Sequence, residues 1–303
     1  MGEPEAALTW VIANPQAGSG RGTRHASAVV HALHVAGIST RLVAPRSVEA
    51  THEAVQSAVD SGARAVIAAG GDGTVHVVLQ QLVHTDVPFG IIAGGSGDDI
   101  AASLGFPIHH AGRIAAHLVD AILSGGYRQV DVGTVTTASG VSEHFLGVLS
   151  TGFDSAVNER ANTMTRLGGQ RYNVAILREL ASFRPVAYDV SIDGTRIQSE
   201  GMLVAIGNGH RYGGGMLVCP DARTDDGELD VTWLAALSTP RFLRALPSVF
   251  TGEHVKKEFV TTHRGRRLTI AAQGQVAYAD GERIGPLPIV VESRPAALRV
   301  LGG

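Results

Sequence analysis

Three glycine-rich segments in the N-terminal third contain residue types suited to holding phosphate. They read Asn14-Pro15-Gln16-Ala17-Gly18-Ser19-Gly20, Gly70-Gly71-Asp72-Gly73-Thr74 and Gly94-Gly95-Ser96-Gly97-Asp98-Asp99. Glycine lets the backbone approach a ligand closely, and amides at helix N-termini offer partial positive charge to an anion. Together the segments predict a phosphate site built from main chain. Taken singly, each glycine is also explained by a tight turn.

Lysine is almost absent from this chain, since Lys256 and Lys257 are its only two lysines. A Walker A loop, a protein-kinase site and a Schiff-base enzyme each need a lysine in the pocket. None of these sites can be built from residues 1–255. Phosphate would therefore be held by backbone amides, a divalent metal and carboxylates.

A Rossmann dinucleotide site is the nearest competing interpretation of the first segment. Gly18 and Gly20 follow an apolar run, but Thr23 stands where the third glycine of that motif belongs. The second apolar run ends at Pro45 without the carboxylate that would bind a ribose. The spacing therefore argues against this class of site.

Apolar periodicity predicts alternating strands and helices in the first third of the chain. We expect strands at 8–13, 40–44, 65–69 and 89–93, and helices at 23–36, 48–61, 75–83 and 112–123. This pattern is typical of a doubly wound α/β unit, in which all three glycine segments lie on one edge of a parallel sheet.

After about residue 128 the pattern changes to alternating segments with frequent turn residues, which favours antiparallel strands. We expect strands at 130–135, 144–149, 186–192, 201–206, 229–234, 267–271 and 275–278, and helices at 168–182 and 240–250, the latter capped by Thr239. The prediction is a domain over 1–128, completed by 293–303, and a β-rich domain over 129–292. Ligands usually bind in the cleft between such domains.

The motifs resemble, in order and spacing, those of the diacylglycerol kinase catalytic-domain family, which includes bacterial lipid kinases and sphingosine kinases. In the first domain the resemblance is carried by Asn14-Pro15 with Gly18, and by the segments 70–74 and 95–99. In the second domain it is carried by Asp131-Val132-Gly133, Gly152-Phe153-Asp154, Gly207-Asn208-Gly209, Gly213-Gly214-Gly215, Pro220-Asp221-Ala222, Asp226-Gly227 and Asp280-Gly281-Glu282. It covers nearly the whole chain.

This resemblance implies an N-terminal domain like that of NAD kinases and 6-phosphofructokinases, a C-terminal β-sandwich that binds the lipid substrate, and an active site in the interdomain cleft. It also implies an ATP- and magnesium-dependent lipid kinase that converts diacylglycerol to phosphatidic acid. The lipid alcohol itself is not identified by the sequence.

The resemblance also assigns roles to residues. Asp280 is similar to the general base, Glu282 and Asp99 to parts of a water–magnesium network, and Asp72 to the ATP and magnesium site. The implied ATP-binding residues are Asn14, Pro15, Gly18, Gly70, Gly71, Asp72, Gly73, Thr74, Gly95, Ser96 and Asp99. Asp226, with the backbone carbonyls of Arg223 and Glu228, resembles a second, structural magnesium site. Both carboxylate motifs are also explained as turns, because Asp-Gly is a common turn pair.

The chain departs from the family pattern in the third motif, directly after the second motif, and near Pro45, where the family often has a threonine. The third motif usually reads Gly-Thr-x-Asn-Asp, whereas Ser96 and Asp98 replace threonine and asparagine here, and His76-Val77 replaces a usual Asn-Glu. A second negative charge about 4 Å from a phosphate costs roughly 1 kcal/mol in water. Asp98 therefore binds metal, caps a helix or weakens nucleotide binding. Two alternatives stay open: an NAD kinase-like nucleotide kinase, and a non-catalytic nucleotide- or lipid-binding homologue.

Composition limits the partners and the compartment. A net charge of −3 and a pI of about 6.5 give no attraction to nucleic acid. The acidic N-terminus is unlike a signal peptide, no apolar run reaches about 18 residues, and Cys219 is the only cysteine, so we expect a cytoplasmic protein. Dimers are the commonest assembly of soluble enzymes, which makes a homodimer the default.

One local segment is basic enough to contact a membrane. Residues 241–267 contain seven Arg or Lys against two Glu, with apolar residues between them. Such a segment suits peripheral contact with an anionic bilayer, where the lipid substrate resides. A solvated face over the second-domain core explains it equally well.

Overall fold

The structure is a computed structural model that describes residues 7–15, 20–164, 175, 178–179 and 183–302. The chain divides into two compact units. Unit 1 comprises Met1–Val132 and Pro295–Gly303, and unit 2 comprises Gly133–Arg294. The chain passes from one unit to the other within two long strands, β5 (Tyr127–Thr137) and β15 (Ile289–Leu301).

Unit 1 contains a parallel sheet with helices between its strands. The elements are β1 (Thr9–Ala13), α1 (Arg21–Val35), β2 (Thr40–Val43), α2 (Val48–Asp60), β3 (Ala65–Gly70), α3 (Asp72–Leu79), β4 (Phe89–Ala93), α4 (Asp99–Ser103) and α5 (Ala111–Ser124). The strand order is β2-β1-β3-β4, and Val300 of β15 pairs in parallel with Phe89 of β4. The α/β class expected for this part of the chain is confirmed.

Burial explains why the strands of unit 1 read as continuous apolar runs. Every residue of β1, β3 and β4 is buried, as is typical of a parallel sheet covered on both faces. Helix α3 begins at Asp72, three residues before the predicted start, because Gly71 is its N-cap. The five-residue α4 was not predicted, since it is too short to show a helical period.

Unit 2 is built on antiparallel strands. Its elements after β5 are β6 (Ser142–Phe145), β7 (Val148–Gly152), α6 (Phe153–Thr163), β8 (Val186–Ile192), β9 (Thr195–Gly207), β10 (Leu229–Ala235), α7 (Thr239–Ala245), β11 (Val260–Gly265), β12 (Arg267–Ala271), β13 (Val276–Ala279) and β14 (Glu282–Pro286). The first half of β9 pairs with β8, and its second half pairs with both β7 and β10. A long strand shared in this way is typical of a sandwich.

The core of unit 2 lies between these strands. It is formed by large buried side chains, among them Phe145, Tyr188, Trp233, Leu268 and Ile289. Cys219 is buried, as is typical of a free cysteine that packs like a small apolar residue. No helix within the described ranges is both long and apolar enough to cross a bilayer.

Two predicted elements of unit 2 need correction, the strand over 144–149 and the helix over 240–250. The strand expected over 144–149 is two strands, β6 and β7, separated by a bend at Leu146 and Gly147. The N-cap of α7 is Ser238, and Thr239 is already helical. The helix ends at Ala245 because Pro247 cannot donate an α-helical hydrogen bond, and a 3-10 turn follows at Leu246–Val249. Strands β11 and β14 were not predicted.

The helix expected over 168–182 lies mostly outside the described residues. Three of its residues, Ala175, Arg178 and Glu179, are described, and they are helical.

Gly133 in β5 tests the packing of unit 2. An ideal Cβ on Gly133 would lie 2.2 Å from Cζ of Phe145, its buried cross-strand partner. We expect Gly133→Ala to lower the free energy of unfolding by about 1–3 kcal/mol, because the ring cannot move within a packed core. Urea denaturation followed by circular dichroism measures this.

The control for this substitution is Gly112→Ala on helix α5. Nothing lies within 4 Å of a Cβ at Gly112, and its φ is not positive. Alanine there should raise the free energy of unfolding by about 0.5–1 kcal/mol, because it favours the helix. Equal effects of the two substitutions would contradict the packing assigned to Gly133.

Candidate functional site

The first glycine loop of unit 1 meets the second one directly. Asn14, which follows β1, donates from its side-chain Nδ2 to Oγ1 of Thr74 over 3.2 Å. Its backbone amide donates to the carbonyl of Ala69 in β3 over 3.0 Å. Pro15 continues this loop, and Gly18 lies outside the described residues. Asn14 thus joins the end of β1 to the beginning of α3.

The second and third loops approach each other closely through their main chains. The amide of Gly94 donates to the carbonyl of Gly70 over 2.9 Å. A Cβ on Gly71 would lie 2.9 Å from Cα of Gly95, and a Cβ on Gly70 would lie 2.3 Å from Oγ1 of Thr74. None of these glycines has a positive φ. Glycine is required at these positions because the neighbouring atoms lie too close for a side chain. A tight turn does not explain them.

Asp72 connects the second loop to the third. Its Oδ2 accepts a hydrogen bond from the amide of Asp99 over 3.2 Å, and its Oδ1 accepts one from the amide of Ile100 over 3.0 Å. The carboxylate therefore satisfies the amides that begin α4, and holds the buried Asp99 beside the second loop. Gly73 lies in the first turn of α3, and Ser96 is exposed on the third loop.

Asp98 closes the third loop upon itself. It has a left-handed backbone with φ of 56°, its Oδ1 accepts a hydrogen bond from the amide of Gly95 over 2.7 Å, and its side chain does not cap α4. Burial raises the pKa of the Asp98 carboxyl above its usual 3.8, while the amides of Gly95 and Gly94 and the charge of Arg21 oppose that shift. Asp98 therefore holds the loop from within.

Arg21 is a residue of this site that the sequence did not indicate. Its guanidinium Nη1 donates to the carbonyl of Gly95 over 3.0 Å, which connects the first turn of α1 to the third loop. A Cβ on Gly94 would lie 2.4 Å from Cα of Gly22, so this turn also packs closely on the loop. No motif marks Arg21, because its role depends on the contact between elements 74 residues apart.

A pocket of about 210 Å³ opens beside these loops. One side is formed by Asn14, Pro15, Gly73 and Thr74, and the other by Pro45, Arg46, Ser47 and Val48 at the start of α2. Ser47 caps α2 by accepting from the amide of Ala50 over 3.1 Å. A pocket walled by two helix N-termini and an arginine suits an anion.

Asp280, in unit 2, holds its carboxylate against main chain. Oδ1 accepts a hydrogen bond from the amide of Gly147 over 2.8 Å, and Oδ2 accepts one from the amide of Leu146 over 3.0 Å. Its own amide donates to the carbonyl of Val148 over 3.1 Å, and its φ is 53°. The residue is only 9% exposed, so it differs from an ordinary solvated turn. Glu282 begins β14 and is exposed.

The loop of Asp226 already contains a positive charge. Oδ1 of Asp226 accepts from the amide of Glu228 over 3.1 Å, and Oδ2 accepts from the guanidinium of Arg264. Arg264 also contacts Glu228 over 3.3 Å and Asp230 over 3.5 Å. A divalent ion bound to Asp226 would have to displace this guanidinium, so the donor set as it stands fits arginine better than a metal. The assignment of Asp226, Arg223 and Glu228 stays a prediction.

The residues of unit 1 fit a nucleotide-bound magnesium ion better. No group of three or more His, Cys, Asp or Glu positioned to hold a metal occurs among the described residues. Magnesium commonly takes only one or two carboxylates from the protein and its other ligands from phosphate and water. Asp72 and Asp99, on adjoining loops, fit that pattern.

The chain is similar to known proteins over most of its length. Residues 9–135 match the family model described as "Diacylglycerol kinase catalytic domain", and residues 147–302 match "YegS C-terminal NAD kinase beta sandwich-like domain". The chain is 36% identical to a diacylglycerol kinase of Mycobacterium tuberculosis, over 96% of this chain and 93% of the relative. It is 27% identical to a diacylglycerol kinase of Bacillus subtilis, over 92% and 90%.

The fold has a match among solved structures. A crystal structure from Bacillus anthracis str. Sterne aligns with a TM-score of 0.77 at 22% identity, covering 98% of this chain and 97% of that one.

Asp98 provides a test of the charge at the third loop. We expect Asp98→Asn to tighten ATP binding in the presence of magnesium by about 3- to 10-fold, since removing a charge near phosphate is worth roughly 1 kcal/mol. The amide oxygen of asparagine can still accept from Gly95. Isothermal titration calorimetry measures the affinity, and Asp60→Asn on the exposed end of α2 is the charge-matched control.

The pH dependence of binding follows from the raised pKa of Asp98. The wild type should bind ATP more tightly as pH falls toward that pKa, because protonation removes the negative charge. Asp98→Asn should lose this part of the pH dependence. Parallel pH profiles for the variant and the wild type would contradict the position assigned to the carboxylate.

Proposed function

The chain belongs to the diacylglycerol kinase family, and we propose that it is an ATP- and magnesium-dependent lipid kinase that converts diacylglycerol to phosphatidic acid. The observation that carries this proposal is the main-chain contact between the second and third glycine loops, which gives unit 1 a phosphate-binding edge without lysine. The names of its relatives support a lipid as the acceptor.

Unit 1 would bind the nucleotide through backbone amides. Glycine at 71 and 95 lets the second and third loops meet backbone to backbone, and Asn14 and Thr74 fix the first loop against the second. Magnesium, when bound, neutralises charge on the transferring phosphoryl group. Asp72 and Asp99 would hold it, directly or through water.

Asp280 would act as the general base in unit 2. Its carboxylate oxygens accept hydrogen bonds from the amides of Gly147 and Leu146, and a carboxylate oriented in this way can accept the proton of a lipid hydroxyl. The two amides hold the carboxylate in one orientation, which suits a base that must meet one proton of the substrate. Glu282, two residues further on, would belong to the water–magnesium network.

An NAD kinase-like activity is the second candidate function. One observation favours it: the family model that matches residues 147–302 is described as an NAD kinase beta sandwich-like domain. NAD as an acceptor in the same assay separates this activity from lipid phosphorylation.

A surface of unit 2 would contact the membrane. Helix α7 and the 3-10 turns Leu246–Val249 and Glu253–Lys256 pack on one another. Leu243 and Phe250, which are 46% and 52% exposed, lie in this region with exposed Arg244, Lys256 and Lys257. We call these five residues the α7 patch. Apolar side chains among cations suit an anionic bilayer, where each basic residue contributes about 1 kcal/mol.

Four cations of the segment 241–267 are already paired, among them Arg264 with Asp226 and Arg267 with Glu292, and this pairing weakens the attraction to a bilayer. Lys256 contacts Glu253 over 2.8 Å, and Arg241 pairs with Glu258. The cytoplasmic location and the homodimer stay predictions, the latter open to light scattering.

The catalytic proposal is tested by a lipid-panel assay. The purified protein with ATP, magnesium and mixed micelles should phosphorylate diacylglycerol, and Asp280→Asn should lower kcat by about 10²- to 10⁴-fold, because the base is lost. Radiolabelled product separated by chromatography is the measurement. Phosphorylation of NAD alone would overturn the lipid assignment.

Asp193→Asn is a matched control for this assay. Asp193 also has a positive φ, 47°, and its carboxylate accepts from the amides of Arg266 and Arg267 over 3.1 and 2.9 Å. Its substitution should cost less stability than that of Asp280, because Asp193 is exposed, and should leave kcat within about 2-fold of the wild type, because it contacts no proposed substrate group.

The α7 patch is tested with vesicles. Lys257→Glu and Phe250→Ala should each weaken binding to vesicles of phosphatidylglycerol and phosphatidylcholine by about 5-fold or more, since each removes about 1 kcal/mol of attraction. Co-sedimentation at low salt measures this. Arg113→Glu, at an exposed position of α5, makes the same reversal of charge as Lys257→Glu outside the patch and should have little effect on vesicle binding. Equal losses in all three variants would refute a local contact.

A further inference from the structure

The bend between β6 and β7 has all four of its backbone groups bonded to two distant motifs. The amides of Leu146 and Gly147 donate to the carboxylate of Asp280. The carbonyl of Leu146 accepts from Nδ2 of Asn208 over 3.1 Å. The carbonyl of Gly147 accepts from the amides of Asn208 and Gly209 over 3.0 and 2.8 Å. We call Leu146, Gly147, Asn208 and Asp280 the 146–147 clamp.

The clamp is closed to water. Leu146 and Gly147 are buried, and Asn208 is 0% exposed. A buried backbone carbonyl that loses its donor cannot replace it with solvent, so the chain shifts until the carbonyl finds another partner. The position of this bend therefore depends on Asn208 on its carbonyl side and on Asp280 on its amide side.

The carboxylate of Asp280 depends on the bend in turn. Asp280 has a left-handed backbone, φ 53°, a conformation that an aspartate keeps only where surrounding contacts support it. Both of its carboxylate oxygens are held by the two amides of the bend. A movement of Leu146 and Gly147 would rotate or release that carboxylate.

We propose that Asn208 is a positioning residue for Asp280, acting through the backbone of Leu146 and Gly147. This rests on the proposed role of Asp280 as the base. Asn208 is not itself catalytic, since the groups it contacts are backbone carbonyls. An asparagine is needed because the carbonyl of Leu146 requires a donor, and an aspartate would oppose one acceptor with another.

The test compares Asn208→Ala with Thr232→Val. Thr232 is a buried residue of the same unit whose side-chain hydroxyl donates to the carbonyl of Val218 over 2.8 Å, so its loss removes the same kind of hydrogen bond away from the clamp. Both variants should lose stability. Only Asn208→Ala should lower kcat, by about 10- to 100-fold, with KM for ATP within about 2-fold, because small misplacements of a catalytic group have effects of that size.

Hydrogen exchange measured by mass spectrometry on the peptide 143–149 adds a readout independent of activity. Exchange of the Leu146 and Gly147 amides should accelerate about 10-fold or more in Asn208→Ala and not in Thr232→Val. Asn208→Ser, which keeps a shorter donor, should recover part of the protection and part of kcat. If Asn208→Ala does not fold, Asn208→Ser takes its place in the comparison with Thr232→Val.

The outcomes separate this inference from the proposed function. Unchanged exchange, or a fall in kcat no larger than that of Thr232→Val, overturns the role of Asn208. If the wild type phosphorylates no lipid, the proposed function fails. In that case hydrogen exchange alone tests whether Asn208 holds the 146–147 clamp. Faster exchange of the Leu146 and Gly147 amides in Asn208→Ala supports this role, and unchanged exchange overturns it.

Discussion

Main-chain contact between the glycine loops is the constraint on which the rest of unit 1 depends. The backbones at Gly71 and Gly95 approach so closely that a Cβ on either would contact the other's Cα at under 3 Å. This approach places the amides of two helix starts at one edge of the sheet. The first 255 residues contain no lysine that could substitute for those amides. The parallel sheet therefore matters for this site because it brings the carboxyl ends of β1, β3 and β4 to a common edge.

Several carboxylates of this protein that belong to its motifs and tight turns are held by backbone amides. Asp98, Asp193 and Asp280 share a left-handed backbone, with φ between 47° and 56°, and each has a carboxylate that accepts from at least one main-chain amide. Asp72 does the same without the unusual backbone. An amide, unlike a lysine or arginine, has no side-chain freedom, so it fixes the direction of the carboxylate as well as its charge. This suits a site in which carboxylates must point at a metal or a proton.

The loop of Asp226 differs from these sites, because its carboxylate is paired with a guanidinium, that of Arg264. Arg264 contacts three carboxylates through its place on β11, directly across from Asp230 on β10. The register between β10 and β11 places Arg264 beside these carboxylates, so that its guanidinium balances their negative charge. No local sequence motif indicates this register. The same holds for Arg21, whose contact with Gly95 depends on α1 packing against the third loop.

The sequence by itself determined the α/β class of unit 1, the three glycine loops and the carboxylate motifs, because apolar period and glycine spacing are local properties. It predicted β1, β2, β3 and β4 within one residue at their ends. Only the tertiary structure decided that the segment 144–149 bends at Leu146 and Gly147, since that bend depends on partners at 208 and 280. It also decided that Asp98 closes its own loop and does not cap α4. In both cases a buried polar group takes whichever partner the fold brings to it, whether that partner is distant in sequence, as at the bend, or three residues away, as for Asp98.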